Sequence, residues 1–128
     1  MSLSLVIPCS FAKDNSEDEQ VETRGIMTIL QVTTFSYETT VYGEAVNTFT
    51  LGISTVRVQL YLYSSYSSTY SLSSCTLEDY VEIDDLNIGQ NLTTRCQGTP
   101  GKYYYCRAVY KVDRGSFKEK VSTGLYYS

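Results

Sequence analysis

Four tyrosines are the residues of this chain best suited to chemistry at a surface. Tyr61 and Tyr63 lie two apart, as do Tyr103 and Tyr105, and Arg57, Gln59 and Arg107 share their parity. A period of two sends such residues to one face of a strand. A tyrosine ring offers a broad apolar surface, a hydroxyl that donates and accepts, and few rotatable bonds, which suits recognition. An arginine over the ring adds a cation–π attraction of roughly 0.5–2 kcal/mol. If the two segments are neighbouring strands, these residues form an outer platform for a glycan, a peptide or another protein, a second copy of the chain included. The same rings could also serve the sheet alone, because cross-strand aromatic pairs contribute roughly 0.2–1 kcal/mol each.

Catalysis finds few materials. The chain has no His, so there is no Ser-His-Asp triad, no Cys-His dyad and no His-ligated metal. No glycine-rich loop of the phosphate-binding type occurs. Glu78, Asp79, Glu82, Asp84 and Asp85 could supply a glycosidase pair, but they read as an exposed connection in a domain with little room for a sugar cleft. Asp85-x-Asn87-x-Gly89-x-Asn91 alternates oxygen donors, as a calcium loop does. It lacks the central glycine and final glutamate of an EF-hand loop, and reads as a solvated connection. Asn91-Leu92-Thr93 is a glycosylation sequon, which would be a coincidence if the protein were bacterial. The expectation is a non-enzyme with no cofactor and no metal.

Charge is segregated along the chain. The net charge is −4. Between Lys13 and Arg24, five acids (Asp14, Glu17, Asp18, Glu19, Glu22) face those two bases, a local −3. Acids recur from Glu78 to Asp85, whereas Arg95, Lys102, Arg107, Lys111, Arg114, Lys118 and Lys120 crowd the C-terminal part. Faces that attract one another within the fold account for this pattern, and an anionic partner for the basic hairpin is the alternative. Nucleic acid does not suit an acidic chain. Membrane insertion needs an apolar run of roughly 20 residues, which is absent.

The elements that must position the tyrosines follow from alternation. In Val56–Tyr63 and Lys102–Val112 the even positions, Val56, Val58, Leu60, Leu62, Tyr104, Cys106, Ala108, Tyr110 and Val112, are core candidates. Further strands are expected over Ile26–Phe35, Thr39–Ile53, Tyr70–Leu77, Leu86–Cys96 and Ser116–Thr123, the last restarting after Gly124. Val41, Ala45, Phe49, Leu51 and Ile53 would face the core from the second of these. Gly98-Thr99-Pro100-Gly101 and Asp113-Arg114-Gly115 are turn signals. Ser64–Thr69 is a serine-rich loop. About seven strands at this spacing predict an all-β domain, a two-sheet antiparallel β-sandwich over residues 25–128. A chain of this size buries roughly two-thirds of its unfolded surface, enough for one core.

The N-terminus reads as processed. Residues 1–12 hold an apolar run ending in Ser10-x-Ala12, a small-x-small pattern typical of signal-peptide cleavage; a genuine first strand is the alternative. Residues 13–24 read as an acidic flexible arm. Secretion permits disulfides. A hairpin centred near Asp85-Leu86 would set Cys75 opposite Cys96, so that pair is the expected bridge, with Cys106 as a small buried hydrophobe.

The strand tally resembles the immunoglobulin-like or fibronectin type III arrangement, in which the third, sixth and seventh strands would share a sheet. The absence of Trp departs from those families. The run Gly101-Lys102-Tyr103-Tyr104-Tyr105-Cys106-Arg107-Ala108-Val109-Tyr110, with its following Gly turn, and the start Thr23-Arg24-Gly25-Ile26 are similar to small uncharacterised secreted proteins of Gram-positive bacteria. That resemblance implies a secreted or surface β-domain and gives no catalytic residue to carry over. The expected function is a secreted or cell-surface binding module that recognises an unknown protein or glycan. The alternative is a secreted effector, such as a protease inhibitor or antimicrobial factor, acting through Ser64–Thr69 or Gln97–Gly101.

Overall fold

The computed structural model describes residues 28–50 and 55–128. The expected signal remnant (1–12) and acidic arm (13–24) lie outside the described residues. Eight strands occur among them: β1 Thr28–Tyr37, β2 Thr40–Thr50, β3 Val56–Ser65, β4 Thr76–Ile83, β5 Asn91–Gln97, β6 Lys102–Val112, β7 Lys118–Val121 and β8 Leu125–Tyr127. They form two antiparallel sheets. The smaller has the order β1-β2-β5. The larger has the order β4-β3-β6-β7, with β8 pairing β6 beyond the end of β7. The third, sixth and seventh strands share a sheet, as the immunoglobulin-like reading requires.

Leu30–Thr48 and Thr55–Ser128 make one compact unit. Thr28, Ile29, Phe49 and Thr50 belong to a second unit; there Thr28 and Thr50 share a hydroxyl–hydroxyl hydrogen bond. In the larger unit the even faces of β3 and β6 are the core. Val56, Val58, Leu60, Leu62, Tyr104, Cys106 and Ala108 are all buried, and meet Leu30, Val32, Val41 and Ala45 from the smaller sheet. Apolar burial of this kind stabilises by roughly 25 cal/mol per Å².

Four expectations need correction. The acidic stretch is no loop: Thr76–Ile83 is an edge strand, paired with β3 from Val58↔Ile83 to Ser64↔Thr76. Its acids occupy positions open to water, while Val81 and Ile83 pack on the core. The residues expected to be the fourth strand, from Tyr70, instead form a loop with a short 3-10 turn over Leu72–Ser74. The expected Cys75–Cys96 bridge is also not formed; Cys75, Cys96 and Cys106 are free thiols. Its premise was a β4–β5 hairpin, whereas β4 pairs β3 and β5 pairs β2 in the other sheet. Phe49, expected in the core, is exposed.

One side chain from the larger sheet caps one backbone group on each edge of the smaller sheet. The Asp79 carboxylate on β4 accepts the backbone N–H of Arg95 on β5 at 3.0 Å. Lys120 on β7 donates from Nζ to the Leu30 carbonyl on β1 at 2.8 Å. Each satisfies a backbone group that an open edge would offer to another chain. Burial of the Lys120 ammonium pushes its pKa down. At the far end the Tyr127 hydroxyl donates to the Glu38 carbonyl at 2.9 Å, tying β8 to the β1–β2 turn, where Glu38 holds a φ of 56°.

The thiols are shielded. Burial pushes Cys106 up to about 12 and Cys96 up to about 11, and raises Cys75 as well. At pH 8 roughly 1 in 1,000 of the Cys96 thiols and 1 in 10,000 of the Cys106 thiols is then the reactive thiolate. A brief iodoacetamide pulse followed by peptide mapping should label Cys75 first, Cys96 more slowly and Cys106 only after denaturation. Labelling of native Cys106 as fast as Cys75 would contradict this packing.

Candidate functional site

The outer face of the five-stranded sheet carries the tyrosines, because the even faces of β3 and β6 are committed to the core. Antiparallel pairing sets Tyr61 opposite Arg107 on one side and Tyr80 on the other, Tyr63 opposite Tyr105, and Tyr103 opposite Tyr126. Side chains directly opposite on an antiparallel pair share a face.

The rings make a belt. Tyr80 tilts against Tyr61 with centroids 4.8 Å apart, and Tyr61 stacks on Tyr63 at 5.9 Å. Tyr70, from the loop after β3, contacts both Tyr63 (6.5 Å) and Tyr105 (5.4 Å). Tyr103 tilts against Tyr126 at 4.9 Å. The belt therefore runs diagonally from β4 to β8.

The expected platform is only partly open. Tyr61 and Tyr103 are half-buried, but Tyr63 and Tyr105 are 7% and 2% exposed. The serine-rich loop folds back over them: the Tyr105 hydroxyl donates to the Ser67 carbonyl at 2.9 Å, and Tyr70 lies across both rings. Gly124 completes the cover, since a Cβ there would lie 2.7 Å from the Tyr105 ring. The loop residues from Tyr66 to Thr69 are exposed, Tyr66 most of all at 74%.

Polar groups flank the open end of the belt. The Arg107 guanidinium lies over Tyr61, 5.2 Å from its centroid. Arg107 Nε donates to the Glu119 carboxylate. Burial is the largest single influence and opposes the Arg107 charge, but the hydrogen bond and charge of Glu119, together with the Tyr63 hydroxyl, outweigh it and raise the pKa. The Tyr80 hydroxyl donates to the Glu82 carboxylate, which raises the Tyr80 pKa. Gln59 stands opposite both Glu82 and Val109. Such charge-assisted bonds hold the groups in fixed orientation. Arg57 is exposed and sits apart, 3.9 Å from the still more exposed Asp84, a pair worth little.

Sequence reasoning missed Tyr80, Glu82, Glu119, Tyr70 and Tyr126. The signal for Tyr80 and Glu82 was present: Leu77, Asp79, Val81 and Ile83 alternate with Glu78, Tyr80 and Glu82, but the density of acids masked a strand period. Tyr70 had no such signal, because a loop's path over a sheet leaves no period.

A second polar constellation lies at the end of the core. Ser64 is 1% exposed; its hydroxyl donates to Glu78 at 2.6 Å and accepts from Lys102 Nζ at 3.4 Å. Lys102 also lies over the Tyr66 ring at 5.1 Å. Closed off from solvent, this hydroxyl ties β3, β4 and β6 together.

The Tyr70 hydroxyl is buried without a hydrogen-bond partner, and burial pushes its pKa up to about 12. An unsatisfied buried hydroxyl costs roughly 1–3 kcal/mol. Tyr70→Phe should therefore stabilise the protein by about 1 kcal/mol, raising Tm by roughly 4 °C. The alkaline response follows as well. With the folded pKa above the ordinary value near 10, the unfolded chain loses this proton first, so stability is full below pH 10 and declines between pH 10 and 12. Tyr70→Phe should make that decline shallower in a pH series of thermal melts. A lower Tm in Tyr70→Phe would show the hydroxyl to be satisfied.

No family model matches the chain, and no curated protein matches it. Two solved structures resemble it. One is a DUF3823 family protein from Bacteroides ovatus, with 12% identity, a TM-score of 0.46, and cover of 85% of this chain and 62% of that one. The other is a DUF3823 family protein from Bacteroides uniformis, with 10% identity, a TM-score of 0.49, and cover of 88% and 60%. The chain spans less than two-thirds of the length of either. Neither is one of the Gram-positive secreted proteins that the sequence resemblance pointed to.

Proposed function

We propose that this chain is a secreted or cell-surface module that binds its ligand on the outer face of the five-stranded sheet and does no chemistry on it. One observation carries this reading: a belt of tyrosines occupies the face of the sheet turned away from the core, flanked by oriented Arg107, Glu119, Glu82 and Gln59. Tyr63 and Tyr105 are buried under the loop, whereas Tyr61, Tyr80, Tyr103 and Tyr126 keep ring surface open to solvent, which suits recognition. The thiols are compatible with an oxidising compartment, since their burial suppresses the reactive thiolate.

The decisive experiment screens immobilised glycans, cell-wall polymers and displayed peptides against wild type, Tyr61→Ala and Tyr103→Ala. Binding should weaken in both variants, and the ligand should be recovered chemically unchanged. A ligand that holds equally to all three proteins, or is converted by them, sinks the proposal.

A further inference from the structure

We infer that the ligand of this face is an elongated, uncharged polysaccharide chain lying along the tyrosine belt. The inference rests on the outer-face reading and adds the ligand's shape and class.

Shape follows from the belt. It crosses from β4 through β3 and β6 to β8, three inter-strand steps of about 4.8 Å, or roughly 14 Å. Tyr61 sits level with Arg107 and Ser65 with Tyr103, so the belt also advances four residues along the strands, about 13 Å. A diagonal of roughly 20 Å suits a chain molecule rather than a small metabolite. Its two ends are open: Tyr80 is 37% exposed and Tyr126 54%. Its middle lies under Tyr70, which gives up no hydrogen bond of its own when displaced, while the loop beside it is held by the Tyr105–Ser67 hydrogen bond.

Class follows from the flanking groups. A sugar ring presents a C–H face that stacks on an aromatic ring, and an equatorial rim of neighbouring hydroxyls. Paired hydroxyls are met by planar bidentate groups: carboxylate, amide and guanidinium. Glu82, Glu119, Gln59 and Arg107 supply all three beside Tyr61 and Tyr80. Glu82, Glu119 and Asp84 balance Arg107, Arg57 and Lys111 on this face, so it offers no net charge to attract uronic-acid or phosphate polymers. A peptide added as a strand would pair along an edge such as β4 and would leave the rings of the belt uncovered.

The test is affinity electrophoresis of the full chain in native gels containing soluble β-glucan, xylan or galactomannan, with polygalacturonate as the anionic comparison. Tyr80→Ala and Tyr126→Ala, at opposite ends of the belt, are run beside wild type after thermal melts establish that both are folded. At least one neutral polysaccharide should retard the wild type, with affinity at least tenfold weaker in each variant, and polygalacturonate should not retard it. Retardation by no neutral polysaccharide, undiminished retardation of the variants, or equal retardation by polygalacturonate overturns the inference. A displayed peptide library panned on the same proteins separates two failures. Peptides whose binding depends on Tyr80, with no polysaccharide retarding, keep the face and reject the glycan; no Tyr80-dependent binding of either kind rejects both.

Discussion

Gly43→Val is expected to remove at least about 3 kcal/mol of stability, the upper end of the usual cost of overpacking a core, and to lower Tm by roughly 12 °C or more. Gly43 is buried on the core face of β2, against β6 of the other sheet. A Cβ at this position would stand 2.7 Å from Cys106 Sγ on β6 and 2.7 Å from Thr94 Oγ1 on β5. Neither neighbour can retreat. Cys106 and Thr94 are both fully buried, and the Thr94 hydroxyl already donates to the Gly43 carbonyl at 3.3 Å. A branched side chain must therefore push the sheets apart along the row that holds Ala45, Leu60 and Ala108 together. Total stabilities of about 5–15 kcal/mol leave little margin for that. Gly43→Ala should show the same effect in smaller measure, and adding Cys106→Ala should recover part of the loss, because the two sites share one space. Thermal melts of the three proteins decide the matter; a Gly43→Val protein that melts with wild type would mean the sheets are not this close.

Tyr61→Ala is expected to weaken ligand binding by at least thirtyfold, about 2 kcal/mol, the size that defines an interface hot spot. Tyr61 is the junction of the open end of the belt. It stacks on Tyr63, receives Tyr80 and carries the Arg107 guanidinium above its ring. Removing it takes away the apolar floor and lets Arg107 and Tyr80 move from their positions beside Glu119 and Glu82. Tyr61→Phe keeps the ring and should bind within a fewfold of wild type. The contrast between Ala and Phe separates loss of the floor from general loosening of the sheet, which Ala alone would not. A Tyr61→Phe protein as weak as Tyr61→Ala would move the important contact from the ring to the hydroxyl.

The core was legible in the sequence to the extent that strands alternate cleanly. Val56 to Leu62 and Tyr104 to Ala108 face inward as their parity requires, because a strand with one buried face leaves its other residues no choice. β4 was hidden because an edge strand tolerates acids that a central strand does not. The cysteine pairing failed for a related reason: symmetry about Asp85-Leu86 assumes a hairpin, and the chain there crosses from one sheet to the other. The odd parity of Tyr63 and Tyr105 did place them on the outer face. Parity could not report that Tyr70 and Gly124 would then cover them, since that contact joins segments with no shared period. Half of the candidate site was thus visible as alternation, and the loop that shapes it was not.

The most direct test of the outer-face assignment is an NMR titration of the full chain with hexasaccharides of β-glucan, xylan and galactomannan, read at the backbone amides of both sheets. The shifts should concentrate at Gln59, Tyr61, Tyr80, Glu82, Arg107 and Tyr126, with Tyr70 moving as the cover is displaced. Shifts confined to Tyr42, Glu44 and Arg95 on the three-stranded sheet would contradict it, and no shift with any of the sugars would contradict the glycan as its ligand.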